Sequence, residues 1–418
     1  MAEPSANSRA TRKSAASLNQ GRPFLFDVMN RLCTVLTETG AMCPHLDEES
    51  LLNAAQRKTG LFDFGDGNFR EGLTILLQSA KRDVKFHSFG QFSFRDFIVK
   101  MLTNRLLLRE AVKRRTVGMA PLNPPLIVTG LARSGTTLLH RLLGQDPANR
   151  VLPLWQLLRP VHFGRHRELH RLRTDLQLRM MASVAPDLDK KHYTRADTPE
   201  ECILLLASSF VSLIYFAMAP VYSYAEWYMK QDLTTGYREY RSQLELLQQA
   251  APERRLTLKA PDHLAALDVI EKVIPDAMVV QSHRDPVECV HSVNSLQFSL
   301  YRLMIDEVDA KRMAKANLEY LAKETDRNIA YHNSGPKDVF HVSYKDLVKD
   351  PLTCMKAIYE HFRLQFTETF EKNIVRYIQL NPKDGRGSHH YRQELFGLRD
   401  EQIMARFTPY TRQFLEYL

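Results

Sequence analysis

The sequence predicts an α/β fold, a parallel sheet flanked by helices, with a helical N-terminal region in front of it. Three observations carry that prediction: short β-branched apolar runs, residues at helical spacing after each of them, and prolines that end a strand-free N-terminal stretch. Residues 1–22 are small, polar and basic, with Glu3 the only acid, and read as a disordered tail without the apolar stretch of a secretory signal. From 23 to 120 Leu, Phe and Val recur at helical spacing, 105–115 reads as a basic amphipathic end, and Pro121, Pro124 and Pro125 break the pattern. The α/β region spans 121–418. It opens with the strand Leu126-Ile127-Val128, a glycine turn, and a helix carrying Leu138, Leu139, Leu142 and Leu143. Several helices run to residue 250, followed by a strand at Leu256–Lys259, a helix, a strand at Ala277–Ser282 and another helix. A last strand at Val339–Val342 precedes a helix from Pro351 to Phe362. Open sheets of this kind hold their ligands at the carboxyl ends of the strands.

The turn between the first strand and its helix is suited to a phosphate or sulfate. Gly130 and Gly135 bracket it at the spacing of a Walker A loop. Free N–H groups and the positive end of the dipole at a helix start favour an anion, and Ser134, Thr136 and Thr137 add hydroxyl donors. The Lys-Ser/Thr pair of nucleotide triphosphatases is replaced by Thr136-Thr137, which disfavours that class. The positive charge sits inside the loop at Arg133, whose guanidinium fork can grip two oxygens at once. Farther on, the strand ending in Arg284 runs into a helix carrying Ser292. Eight residues is close to two helical turns, so the two side chains can converge on one small anion.

These two motifs, in this order, resemble the 5′-phosphosulfate loop and the 3′-phosphate clamp of sulfotransferases that use 3′-phosphoadenylyl sulfate (PAPS) as donor. The likeness is closest to the group with arginine in the loop. It extends through Arg57-Lys58-Thr59-Gly60-Leu61, Pro199-Glu200-Glu201-Cys202, Leu258-Lys259-x-Pro261-x-His263-Leu264 and His389-x-Tyr391. The resemblance implies a P-loop-type α/β fold and metal-independent, in-line sulfuryl transfer to an acceptor oxygen or nitrogen. Arg133 and then Lys259 would stabilise the leaving phosphate oxygen. Gly130, Arg133, Ser134, Gly135, Thr136 and Thr137 would hold the 5′ end, Arg284 and Ser292 the 3′-phosphate, and Lys383, His389 and Tyr391 would close over the nucleotide.

An acceptor hydroxyl must also lose its proton. Relatives commonly carry a glutamate after a tryptophan at this point, but this chain reads Leu154-Trp155-Gln156, and an amide cannot take a proton. His263, Glu200, Glu201 and His192 stand as alternatives, with His263 favoured for its place just past Lys259. Aromatics between residues 155 and 240, including Phe210, Tyr215, Phe216, Tyr222, Tyr224, Trp227 and Tyr228, would line an acceptor cleft or fill the core.

Composition bounds the rest. With 418 residues, 44% of them hydrophobic, the chain can fill a large core. The net charge of +9 suits a protein that handles a polyanionic nucleotide, yet the basic residues are scattered and no nucleic-acid-binding motif is present. Five cysteines without a C-x-x-C pair, and histidines without ligand spacing, argue against disulfides and metal and for a reducing compartment. Residues 203–222 carry no charge but hold three serines and Pro220 and follow two glutamates, so they read as a buried core helix, not a transmembrane segment. Cytoplasm is the default location, and the Ser-, Ala- and Arg-rich tail leaves organellar targeting open. The acceptor is a small molecule, carbohydrate or lipid. Two other function classes stand beside the sulfotransferase: a P-loop kinase or nucleotide hydrolase, which needs a loop lysine and a magnesium carboxylate, and a catalytically silent nucleotide-binding protein, which Gln156 would permit.

Overall fold

The computed structural model describes residues 23–41, 44–66, 68–114, 121–161, 167–185, 194–381 and 393–418. Five strands, β1 (Leu126–Gly130), β2 (Asn149–Val151), β3 (Arg255–Lys259), β4 (Met278–His283) and β5 (Val339–Ser343), form one sheet in the order β2-β3-β1-β4-β5. Every pairing is parallel, with Val128 opposite Lys259 and Gly130 opposite Ser282. All five residues of β1 are buried, as expected for a strand covered on both faces, which is why it reads as a continuous apolar run. The register brings the ends of β1, β3 and β4 to one edge, where Gly130, Lys259 and Arg284 leave the sheet.

Among the described residues four helices precede the sheet: α1 (Phe24–Glu38), α2 (Glu48–Thr59), α3 (Asn68–Asp83) and α4 (Ser88–Lys113). The bounds of α2 follow from its own residues. The Asp47 carboxylate accepts from Ser50 N at 2.8 Å, acids fill the first turn and bases the last, and Gly60 ends the helix at φ 69°. The core is shared between the N-terminal helices and the sheet, since Phe94, Leu102 and Leu106 of α4 pack in one apolar cluster with Ile127 and Leu258.

Arg105, expected on a basic amphipathic end, is instead 2% exposed. Its guanidinium donates to Phe64 O at 2.7 Å, Ser208 O at 3.3 Å and Glu239 Oε2 at 2.7 Å, and lies 4.3 Å over the Phe69 ring. The apolar run at 203–222 is buried but is not one helix. It breaks into Ile203–Leu206, a 3₁₀ turn at Ala207–Ser209 and Ile214–Met218, with Phe210 at φ 59°. The backbone turn is supported by the buried Tyr224 hydroxyl, which donates to Phe210 O at 2.8 Å and accepts from Ser212 N at 3.1 Å. No helix among the described residues is long and apolar enough to cross a membrane. Strand β2 was not expected either, because its residues are mostly polar. The Asn149 amide holds it in place by donating to Leu143 O at 2.8 Å and the Tyr359 hydroxyl at 2.9 Å.

Candidate active site

The glycine turn joins β1 to helix α5 (Thr136–Leu143) in a conformation that side chains resist. Gly130 has φ 139°, and a Cβ there would lie 2.2 Å from Ser282 O. Gly135 has φ 98°, and a Cβ would lie 2.5 Å from the Tyr344 ring. Arg133 itself takes φ 75°, a left-handed geometry that a non-glycine residue holds only when its surroundings impose it. The surroundings are visible: Ser282 Oγ donates to Ser134 O at 2.6 Å, and Ser134 N donates to Leu131 O at 3.0 Å. The Ser134 hydroxyl is fully buried and has no hydrogen-bond partner among the described residues. An anion cradled by the turn would satisfy it.

The end of β4 meets this turn directly. The Arg284 guanidinium donates from Nη1 to Arg133 O at 3.1 Å and lies 4.3 Å over the Tyr344 ring. Its Nε donates to Glu288 at 2.7 Å, and Nη2 bonds the same carboxylate. Ser292, on helix α7 (Pro286–Tyr301; helix α6, Arg167–Val184, precedes it in the chain), accepts from Arg133 Nε at 3.0 Å. The sequence-predicted pair thus converges on the loop arginine. Lys383, His389, Tyr391 and His192 lie outside the described residues.

Beside the loop is a set of acids. Lys259, 1% exposed at the end of β3, donates from Nζ to Glu201 Oε1 at 2.7 Å. Glu200 accepts from Glu201 N at 3.0 Å and from the Thr194 hydroxyl at 3.4 Å. Asp262 follows in the 3₁₀ turn after β3, and its carboxyl is pushed up to about 7, first by burial and then by the negative charge of Glu201. On helix α8 (Ala310–Asn333) the Tyr320 hydroxyl lies 3.3 Å from Asp262 Oδ1 and also hydrogen-bonds Glu324, whose carboxyl burial holds well above the usual range.

His263, the favoured base, turns the other way. It is fully buried, with Nδ1 2.8 Å from the Tyr237 hydroxyl and Nε2 3.2 Å from Cys202 Sγ, and burial lowers its pKa to about 3. Both ring nitrogens are occupied in the core, so the ring stands apart from the cleft. Gln156 is also buried and uses Oε1 to accept from Arg150 at 3.1 Å. Sequence reasoning passed over Asp262, Tyr320, Glu324 and Tyr344. Asp262 sits between two residues of a recognised motif and was within reach; the other three come from elements more than fifty residues downstream.

One cleft of about 1070 Å³ lies against the turn and the acids, but His263, Gln156, Lys259, Ser134 and Ser292 do not line it. Its lining includes Arg133, Thr136, Thr137 and Arg284, and the acids Glu200, Glu201, Asp262 and Glu324. Apolar lining comes from Leu178 and Met181 of α6, Ile214 and Phe216 from the broken segment, and Leu296 and Leu300 of α7. Of the aromatics in the segment, Phe216 lines the cleft, whereas Phe210, Tyr215, Tyr222, Tyr224 and Tyr228 are buried in the core. No group of three or more His, Cys, Asp or Glu among the described residues is arranged to hold a metal ion.

A parallel sheet with an arginine-bearing glycine turn at its carboxyl edge, beside a cleft lined by both acids and apolar side chains, is a P-loop-like scaffold. Comparison with known proteins places it more narrowly. Residues 124–368 match the sulfotransferase family, and the chain belongs to that family. It is 31% identical to sulfotransferase STF1 of Mycobacterium tuberculosis H37Rv, whose crystal structure superposes with a TM-score of 0.75 over 87% of this chain and 98% of that one. Sulfotransferase STF9 of Mycobacterium avium, at 26% identity, gives a TM-score of 0.80 over 88% and 97% of the two chains. The omega-hydroxy-beta-dihydromenaquinone-9 sulfotransferase Stf3 of Mycobacterium bovis and of Mycobacterium tuberculosis is 24% identical over 337 residues, 74% of this chain and 81% of that protein. The chain is a sulfotransferase, and its chemistry is sulfuryl transfer.

Proposed function

We propose that the enzyme takes its sulfuryl group from PAPS and passes it to a hydroxyl carried on a largely apolar acceptor. The observation that carries this reading is the meeting of Arg133 and Arg284 at the glycine turn, on the same cleft as the apolar walls. When bound, the donor supplies a sulfur whose bond to the bridging phosphate oxygen breaks as the acceptor oxygen attacks. The N–H groups of the turn, the Ser134 hydroxyl and Thr136 with Thr137 hold its 5′ end. Arg284 and Ser292 bind the 3′-phosphate, and the Glu288 carboxylate that occupies Arg284 Nε must give way to it. Arg133 stabilises the charge growing on the leaving oxygen. Lys259 adds to that charge stabilisation, its direction set by Glu201.

The acceptor side follows from the lining of the cleft. Leu178, Met181, Ile214, Phe216, Leu296 and Leu300 offer apolar contact and few hydrogen-bonding groups, which favours a long-chain or lipid alcohol over a sugar. The relative named for a hydroxylated menaquinone as its acceptor supports the same class. We assign the helical region 23–120 as a platform behind the acceptor cleft. Buried free Cys33, Cys202 and Cys289 suit a reducing location such as the cytoplasm.

The test has two parts. Adenosine 3′,5′-bisphosphate should protect the protein against thermal unfolding, and radiolabelled PAPS should label long-chain alcohols in preference to sugars. Turnover of ATP with magnesium and no use of PAPS would overturn the reading.

A further inference from the structure

The family's expected carboxylate is missing at Gln156, and the residues considered in its place divide sharply. His263 is locked in the core by Tyr237 and Cys202. Glu201 is engaged by Lys259. Asp262, which was not among those alternatives, lines the same cleft as Glu200 and Glu201. It sits in the turn after β3 that the Thr129 hydroxyl ties to the start of the glycine loop by donating to Pro261 O at 3.2 Å, and its Oδ1 lies 3.3 Å from the Tyr320 hydroxyl. We infer that Asp262 is the general base that accepts the acceptor's hydroxyl proton, with the Tyr320 hydroxyl fixing the orientation of its carboxylate. This rests on the sulfuryl-transfer reading above. As the acceptor oxygen forms its bond to sulfur, its proton passes to Asp262, and the electron pair of the broken S–O bond leaves with adenosine 3′,5′-bisphosphate.

The surroundings suit the role. Lys259 and Glu201 act on the carboxyl, as do Tyr320 and Glu324 of α8, while Arg327 of the same helix acts on Glu324; Tyr228 and Tyr237 are near enough to feel the charge of Asp262. Burial and Glu201 hold the proton on Asp262 until about pH 7, so a carboxylate there is basic enough to take a proton from an alcohol in the transition state. An ordinary surface aspartate, near 3.8, would be a weaker base. Glu324 is more deeply buried than Asp262, and burial holds its carboxyl well above the usual range.

The experiment uses the full chain with PAPS, 1-dodecanol, and a dodecanol fluorinated beside the hydroxyl carbon, whose more acidic hydroxyl needs less help. Asp262→Asn should lower kcat with dodecanol about 100-fold or more, with a smaller loss for the fluorinated alcohol, and should erase the rise in rate through neutral pH. Tyr320→Phe should displace that rise along the pH axis without erasing it. A readout free of donor and acceptor comes from denaturant unfolding. Wild type should lose stability relative to Asp262→Asn as pH rises from the normal aspartate value of 3.8 to about 7, because the folded carboxyl must ionise where the unfolded one already has. Equal dodecanol turnover in wild type and Asp262→Asn, or a stability difference flat with pH, overturns the proposal. If Asp262→Asn does not fold, a wild-type rate that is level through neutral pH does so by itself. Loss of protection by adenosine 3′,5′-bisphosphate in the wild type would instead count against the donor reading of Arg133 and Arg284.

Discussion

Arg133 is gripped from two sides, by Ser292 at its side chain and by Arg284 at its carbonyl, and it takes a left-handed backbone to meet both. Its role and that of Arg284 should therefore separate in kinetics. Arg133→Ala should lower kcat about 100- to 1000-fold, as expected for a group aimed at developing charge. Arg284→Ala should chiefly raise the KM for PAPS, since ground-state binding is what it would supply. Steady-state rates with PAPS varied at fixed acceptor distinguish the two, and unchanged values for both would remove the assignment. At this scale much of the proposed donor site could be read from the chain. Gly130, Arg133, Ser134, Gly135 and Thr136 lie within seven residues, so chain connectivity alone brings them together, and Arg284 and Ser292 are tied by helical periodicity. The base was not legible, because a histidine and an aspartate adjacent in sequence point to opposite sides of a 3₁₀ turn.

Among elements, α4 ties the N-terminal helices to the remainder through Arg105, which bonds the Phe64 carbonyl, the Ser208 carbonyl and Glu239 from three separate segments. Replacing it with alanine leaves those carbonyls and a half-buried carboxylate without a partner. We expect a stability loss of about 3 kcal/mol or more for Arg105→Ala, measured by denaturant unfolding. The β4 and β5 strands carry a second coupled feature. His283 sits 2.8 Å from the Tyr410 hydroxyl and 2.8 Å from His341, and burial keeps His283 and His341 neutral, the latter down to about 4. Both titrate lower when folded than their ordinary 6.5, so the stability they contribute is complete above 6.5 and is lost as pH falls toward 4. His341→Gln, which still offers His283 a partner but takes no proton, should flatten the acid-side fall of the melting temperature. Strands β1, β3, β4 and β5 were readable from apolar runs; the polar β2 was not. The break in the 203–222 segment was not, because it is imposed by Tyr224 reaching back from the following helix.

For the molecule as a whole, the proposed donor binding would be linked to folding. Adenosine 3′,5′-bisphosphate at about 100 times its Kd should raise unfolding free energy by about 2.7 kcal/mol, and Arg284→Ala should need more ligand for the same gain. Calorimetry across a ligand series checks both. The sequence by itself determined the α/β class, the parallel strands, the phosphate turn and the sulfotransferase likeness, since each depends on residues close together in the chain or on a linear motif. Tertiary structure alone decided the acid cluster around Asp262, the burial of Arg105, the seat of His263 in the core and the apolar walls of the cleft. Those depend on which faces of distant elements meet: Asp262, Tyr320 and Glu324 acquire their protonation behaviour only when burial removes water and brings their charges together.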